Sequence, residues 1–170
     1  MFICGSISFI VSALLCRRGS GGGLRRGLRR GLPRGGAQDL QAAYNLASAA
    51  ATNGGTQTVA LVDAYDDPTI ESDLNTYRSY YGLPPCTTAN GCFKKVNQDG
   101  EQGNYPPVAN PEWEPEIALD TEMVSAICPK CHILLVEANS ADEAIATSNP
   151  AQHSDLGAAV HTAVHLGATE

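Results

Sequence analysis

Positive charge is scarce over most of this chain. Seven of its 11 lysines and arginines (Arg17, Arg18, Arg25, Arg26, Arg29, Arg30, Arg34) precede residue 37. That leaves Arg78, Lys94, Lys95 and Lys130 for the rest, which holds all 18 acidic residues, from Asp39 onward. The head therefore carries +7 and the body −14. So acidic a body lacks the cationic footprint of a nucleic-acid-binding surface. Long apolar runs are lacking too. The longest, 2–16, contains Gly5, Ser6, Ser8 and Ser12, and falls short of the ~20 residues that span a bilayer. There is no Gly-x-x-x-x-Gly-Lys loop, no dinucleotide fingerprint and no His-Glu-x-x-His, so nucleotide use and that type of metal centre have no support. What remains is a 170-residue chain, 43% hydrophobic, enough for one domain with a real core.

The head, residues 1–36, divides in two. Its apolar start could pass for the core of a signal peptide, but Arg17-Arg18 follow it and no cation precedes it. That order opposes export, because positive charge stays on the cytoplasmic side. Residues 23–34 then repeat Gly-Leu-Arg-Arg, Gly-Leu-Arg-Arg, Gly-Leu-Pro-Arg. Such a tail could bind anionic lipid or nucleic acid. A glycine every four residues costs a helix about 1 kcal/mol each, so the segment reads as disordered low-complexity chain and not as part of the fold.

The body, 37–170, alternates helices and strands. Leu40, Ala43, Tyr44 and Ala47 recur at helical spacing, predicting one helix over Asp39–Ala51. Thr58–Val62 is a β-branched apolar run suited to a strand buried on both faces, ending where Asp63 begins a polar stretch. Helices are predicted over Thr69–Tyr81, closed by Gly82, over Pro115–Ile127, and over Asp155–Gly167, capped by Ser154 or Asp155. Further strands are predicted at Phe93–Val96 and His132–Glu137, with a polar loop over Asn97–Asn110. This order predicts an α/β fold, a parallel sheet flanked by helices. Three strands are few, and the last helix leads to where another strand should start, so part of a larger α/β domain is expected.

The most informative constellation is Glu116-Ile-Ala-Leu-Asp120. At ~100° per residue, Asp120 falls about 40° from Glu116. Ile117, Leu119, Met123, Val124 and Ile127 surround both acids, while Glu114, Glu122 and Ser125 take the opposite, solvent-facing side. Carboxylates facing inward cost several kcal/mol unless they are paired or share a proton. Four cations are available as partners. Alternatively, carboxyls at i and i+4 share one proton, which pushes their pKa values apart and leaves a base that works in acid. An ordinary pair at a helix edge, reaching water or a lysine, is the structural alternative.

Several segments together resemble one family, the sedolisins or serine-carboxyl peptidases. They are Asp39-Leu-Gln-Ala-Ala-Tyr-Asn-Leu46, Thr58-Val-Ala-Leu-Val-Asp-Ala-Tyr-Asp-Asp-Pro68, Glu71-Ser-Asp-Leu-Asn-Thr-Tyr-Arg78, Leu83-Pro-Pro-Cys86 with Gly91-Cys-Phe-Lys-Lys-Val-Asn97, Glu116 to Ala126, and Cys128-Pro-Lys-Cys-His-Ile-Leu-Leu-Val-Glu-Ala138. The match runs over about 38–168 and is similar to a secreted bacterial member. The resemblance implies an incomplete subtilisin-like fold and hydrolysis of peptide bonds, typically in acid, through a Glu/Asp/Ser triad. Glu116 would be the general base and Asp120 would orient it and hold the shared proton. Glu112 and Glu116 share the spacing, but Pro115 argues against a helix joining them.

The departures are equally specific. The family's serine lies in Gly-Thr-Ser, which is missing here. Its oxyanion-stabilising Asp and its calcium-binding loop come later than residue 170, so no cofactor is expected within this chain. The family's prodomain has no counterpart in the Arg-rich head, and the loop between Ala141 and Ser154 is long for the family. The expectation is the N-terminal part of a secreted, extracellular catalytic domain, inactive alone because the nucleophile is missing. It would be a monomer whose partner is a peptide or protein substrate, with no nucleic acid and no stable membrane span.

Asp63 ends the first buried strand, where α/β folds place functional side chains. In the wider subtilisin-like fold an acid there is catalytic; in sedolisins the helix pair takes that task, so Asp63 reads as a supporting residue behind the site. Asp66 and Asp67 read as turn and cap residues before Pro68. Of six cysteines, the body pairs Cys86/Cys92 and Cys128/Cys131 suggest two small disulfide loops and an oxidising compartment. A four-cysteine zinc site, perhaps with His132, is the rival. His161 and His165 stand at i and i+4 on the last helix and read as a helix flank. The alternatives to a peptidase are a non-catalytic α/β protein that binds peptide or another partner, and a zinc-binding module.

Overall fold

The apolar runs become the strands of one parallel sheet, β1 (Thr58–Ala64), β2 (Phe93–Asn97) and β3 (His132–Ala138). The computed structural model describes residues 36–108, 112–142 and 154–170. The readings of the head and of most of the 141–154 loop therefore lie outside the described residues. The helices are α1 (Ala37–Ala43), α2 (Ala47–Thr52), α3 (Ile70–Tyr80), α4 (Trp113–Ile127) and α5 (Asp155–His165). Strand order is β1-β3-β2, so β3, the most apolar strand, lies in the middle. The fold is α/β, a three-stranded parallel sheet flanked by helices.

Strand alternation divides the core in two. Leu61, Phe93, Ile133 and Leu135 pack with Ile70 and Leu74 of α3 and Ile117 and Val124 of α4. On the other face Val96, Leu134, Val136 and Ala138 pack with Ala159 and Ala163 of α5. Each large aliphatic side chain so buried stabilises the fold by about 1.5–3 kcal/mol. The second edge of β1 is also engaged. Thr169 N–H donates to Thr58 O at 2.9 Å, and Ala60 N–H donates to Glu170 O at 2.9 Å.

Several details differ from the sequence reading. The helix predicted over Asp39–Ala51 is two helices, because Asn45 takes a left-handed conformation (φ 56°) and Leu46 N–H closes back on Gln41 O. Asparagine tolerates that conformation, and the turn it makes ends a helix. β1 runs through Asp63 to Ala64, since Asp63 stays in register with Glu137 of β3. α4 starts at Trp113, two residues before Pro115. Pro115 occupies the third helical position, where its missing N–H has no intrahelical partner to lose. Glu112 stands outside as the N-cap. Finally, Ser125 is fully buried and not solvent-facing, because α4 is rotated to pack Thr121, Val124 and Ser125 inward.

What draws Ser125 inward is Arg78 of α3, itself 1% exposed. Its guanidinium donates to Pro84 O, to Ser125 Oγ and to Pro129 O, the last at 2.8 Å. All three acceptors are neutral, so burial lowers the Arg78 pKa. This one side chain ties α3 to α4, to the turn after α3 and to the turn before β3. Disulfides Cys86–Cys92 and Cys128–Cys131 close the loops entering β2 and β3. Gly54 lies against the second, where an added Cβ would sit 2.5 Å from Cys128 Sγ. Among the described residues no helix is long and apolar enough to cross a membrane.

Replacing Arg78 leaves the buried Ser125 hydroxyl and two part-buried carbonyls without this donor. Arg78→Ala is expected to lower unfolding free energy by on the order of 3 kcal/mol, read by urea denaturation. A loss below about 1 kcal/mol would mean that the acceptors find other partners.

Candidate active site

The C-terminal edge of the sheet gathers acids because three strands end there on polar residues facing one side. Leu61, Leu135 and Phe93 face α3 and α4, so alternation turns Asp63, Glu137, Lys95 and Asn97 to that same side. Asp63 and Asn97 flank Glu137 as its register partners on the two neighbouring strands. α4 lies over this row and brings Glu116 and Asp120 from its first turns. Beyond β1, Tyr65 takes a left-handed conformation (φ 68°), uncommon for so bulky a residue. Its N–H donates to Ala138 O at 2.8 Å, and its ring meets Trp113 edge-on at 6.3 Å. The β1 exit is thereby joined both to β3 and to the start of the helix that carries the acids.

The acids form two groups. In the first, Asp63 is 3% exposed and its Oδ2 has no hydrogen-bond partner, while Glu116 and Asp120 are half-buried. Burial, then the negative charge of Asp120 and of Glu116, pushes the Asp63 carboxyl up to about 7. Burial, then Glu116, pushes Asp120 up to about 6. The wheel placed the two helix acids in the middle of an apolar arc. In the structure they sit at its edge, and the deepest carboxyl of the three is that of Asp63.

In the second group Lys95 pairs with Asp66 and approaches Glu137 Oε1 at 3.4 Å. Lys95 also donates to Asp67 O at 3.0 Å and lies 4.1 Å from the centroid of the Tyr105 ring. Glu137 Oε1 accepts from Asp67 N–H at 3.2 Å, while its Oε2 is buried and unpartnered. Burial pushes Glu137 up to about 8 against the opposing pull of Lys95, whose nearer partner is Asp66. This group was not foreseen. The sequence suggests turn roles for both Asp66 and Asp67, and only Asp67 has one, accepting from Thr69 N–H at 2.8 Å. The signal lay in Phe93-Lys-Lys-Val, where strand alternation puts Lys95, unlike Lys94, on the buried face of Phe93.

Of the four cations available to the helix pair, Arg78 and Lys95 are engaged as above, Lys130 donates to Ala51 O, and Lys94 is exposed. No ion pair to Asp63, Glu116 or Asp120 occurs among the described residues. The remaining candidates lie elsewhere. The disulfide cysteines and His132, whose Nδ1 is 3.0 Å from Gly91 O, are at the N-terminal edge of the sheet. His161 and His165 stack on the exposed side of α5 with ring centroids 4.4 Å apart. Among the described residues no three His, Cys, Asp or Glu side chains are grouped to hold a metal ion.

Chemically, the first group is a set of carboxyls with fewer charges than oxygens would suggest. Between pH 4 and 7 it holds protons that free carboxyls would release, and so offers a base and an acid side by side. No protein-family model, curated protein or solved structure matches the chain.

The raised values set a sign for stability. Folded Asp63 and Asp120 bind protons more tightly than in the unfolded chain, so their linkage term makes stability fall as pH rises from about 4 to about 7. Asp63→Asn should flatten that slope and raise the thermal midpoint at pH 7 relative to the parent. A midpoint that falls with pH as steeply in the variant as in the parent, or more steeply, contradicts the assignment.

Proposed function

We propose that this chain carries the acid portion of a serine-carboxyl peptidase site on a subtilisin-like sheet, in a protein that works outside the cell. The observation that carries this reading is the convergence of Asp63, Glu116 and Asp120 at the C-terminal sheet edge with no cation among them. The order of strands and helices, the i, i+4 acids on α4 and the two disulfides support it.

In this reading Glu116 accepts the proton of a serine hydroxyl as its oxygen bonds to the scissile carbonyl carbon. The proton is then returned to the leaving amine. Asp120 holds the proton that it shares with Glu116 and so fixes which carboxyl oxygen is free to act as base. Asp63, neutral below about pH 7, keeps a further full charge from forming beneath the pair. A histidine could not act so in acid, where it would already be cationic. The serine comes from outside these 170 residues, which contain no Gly-Thr-Ser. That same gap favours a second reading, an α/β protein that binds peptide at this edge without cutting it.

The test is peptide hydrolysis at acid pH, by this chain alone and by the product of the uninterrupted reading frame that contains it. The chain alone should show none. The longer product should cleave and should lose roughly 10²–10⁴-fold in rate on Glu116→Gln, the range of a general base. Full activity in that variant would sink the catalytic assignment and leave the binding reading.

A further inference from the structure

The outer faces of α3 and α4 meet in a groove that the carboxyl site does not use. It encloses about 440 Å³ and is lined by Asp73, Thr76, Tyr77, Tyr80, Tyr81 and Glu122. Three tyrosines in so small a space are notable in a chain with only six. Their rings are mutually braced. Tyr77 and Tyr81 have centroids 4.7 Å apart, and Tyr80 stands perpendicular to Tyr81 at 4.9 Å. Tyr80 is nevertheless 64% exposed, so the cluster presents ring surface to solvent where a core would hide it. Glu122 points away from Glu116 and Asp120, about 120° round α4 from the first and about 160° from the second.

Two acids face this ring surface, and neither meets a cation among the described residues. Asp73 accepts from Thr69 Oγ1 at 2.7 Å. Glu122 is raised by burial and by the charge of Asp73, so the two carboxyls bear on the same space. Tyr77 adds a hydroxyl that is buried and has no hydrogen-bond partner. The groove thus combines aromatic faces, which attract a cation, with carboxylate and hydroxyl oxygens, which need N–H donors.

We propose that this groove is a docking site for an arginine side chain of a peptide or protein partner. A guanidinium matches both halves of the surface. Its plane stacks on a tyrosine ring while its edge donates several hydrogen bonds to the carboxylates. A quaternary ammonium ion would satisfy the rings alone and leave the oxygens without donors. A lysine would supply one compact charge but no plane to stack. The charge of the body, −14, steers such a partner from a distance. The groove shares no lining residue with the carboxyl edge. The proposal does not depend on the peptidase reading.

The test is a titration of the full chain with a short peptide bearing two arginines, against the same peptide bearing citrulline, its neutral isostere, and against a lysine version. The arginine peptide should bind about tenfold or more tighter than the citrulline peptide, as charge-assisted bonds and cation–π contact require. The lysine peptide should fall between. Tyr80→Ala removes an exposed ring and leaves the fold intact by circular dichroism. It should weaken the arginine peptide several-fold with no effect on the citrulline one. Glu122→Gln should do the same, whereas Val164→Ser, on the exposed side of α5, should change nothing. Equal binding of arginine and lysine peptides that is insensitive to Tyr80→Ala would overturn the proposal, since it would reduce the effect to net charge. So would equal binding of arginine and citrulline.

Discussion

A carboxylate taken out of water needs a cation or a proton, and this fold has one buried lysine to give. Lys95 is the only side-chain cation that makes an ion pair among the described residues. The rest of the acid chemistry follows from where it goes. It reaches across the β1 exit to Asp66 and Glu137, anchoring the turn that follows Tyr65. Asp63, Glu116 and Asp120 are left to solve the same problem with protons. Asp63 and Glu137 are register partners on adjacent strands, yet they belong to different electrostatic worlds. One answers to Lys95 and Asp66, the other to Glu116 and Asp120.

The surrounding structure maintains that division. Arg78 could in principle neutralise a carboxylate, but it is spent on three neutral acceptors, Ser125 on α4 and the carbonyls of Pro84 and Pro129 in the turns beside it. That placement fixes the rotation of α4, because Ser125 must face inward to receive it. Ser125 lies five residues past Asp120, which turns the acids to the edge of the sheet-facing side rather than its centre. There they are half-buried, desolvated enough to raise the pKa of Asp120 and still open to solvent. The disulfides act at the opposite edge, holding the loops that enter β2 and β3. One end of the sheet is thus covalently held while the other carries titratable groups.

The layout of elements was legible from periodicity, because apolar runs and helical spacing report burial directly. β3 was read one residue short, and α3 and α5 to within two residues. Asn45 was illegible because its left-handed turn interrupts a pattern that is otherwise helical. The rotation of α4 was misjudged for a different reason. A helical wheel counts apolar residues, and Ser125 and Thr121 are buried by a polar contact and by close packing, which hydropathy cannot register. Glu116, Asp120 and Asp63 could be named from spacing and from strand ends. Glu137 escaped because its meaning depends on Lys95, forty-two positions earlier, and on a strand order that puts β3 between β1 and β2.

The scarcity of cations and the choice of acid chemistry are two sides of one constraint. Adding a lysine near Asp63 would stabilise its anion at neutral pH, and would equally hold Asp120 ionised and bring its pKa down toward the ordinary value. Asp120 would then release in mild acid the proton that it now retains. A site that is to use that proton in acid must therefore be kept free of lysine and arginine, and must tolerate the repulsion that follows as pH rises. Over the body as a whole, −14 has the same character. Self-repulsion is strongest where the carboxyls are fully ionised and is relieved as they protonate. The buried Lys95 shows that the fold can place a cation at this sheet edge, which makes its confinement to Asp66 and Glu137 the feature on which the neighbouring acids depend.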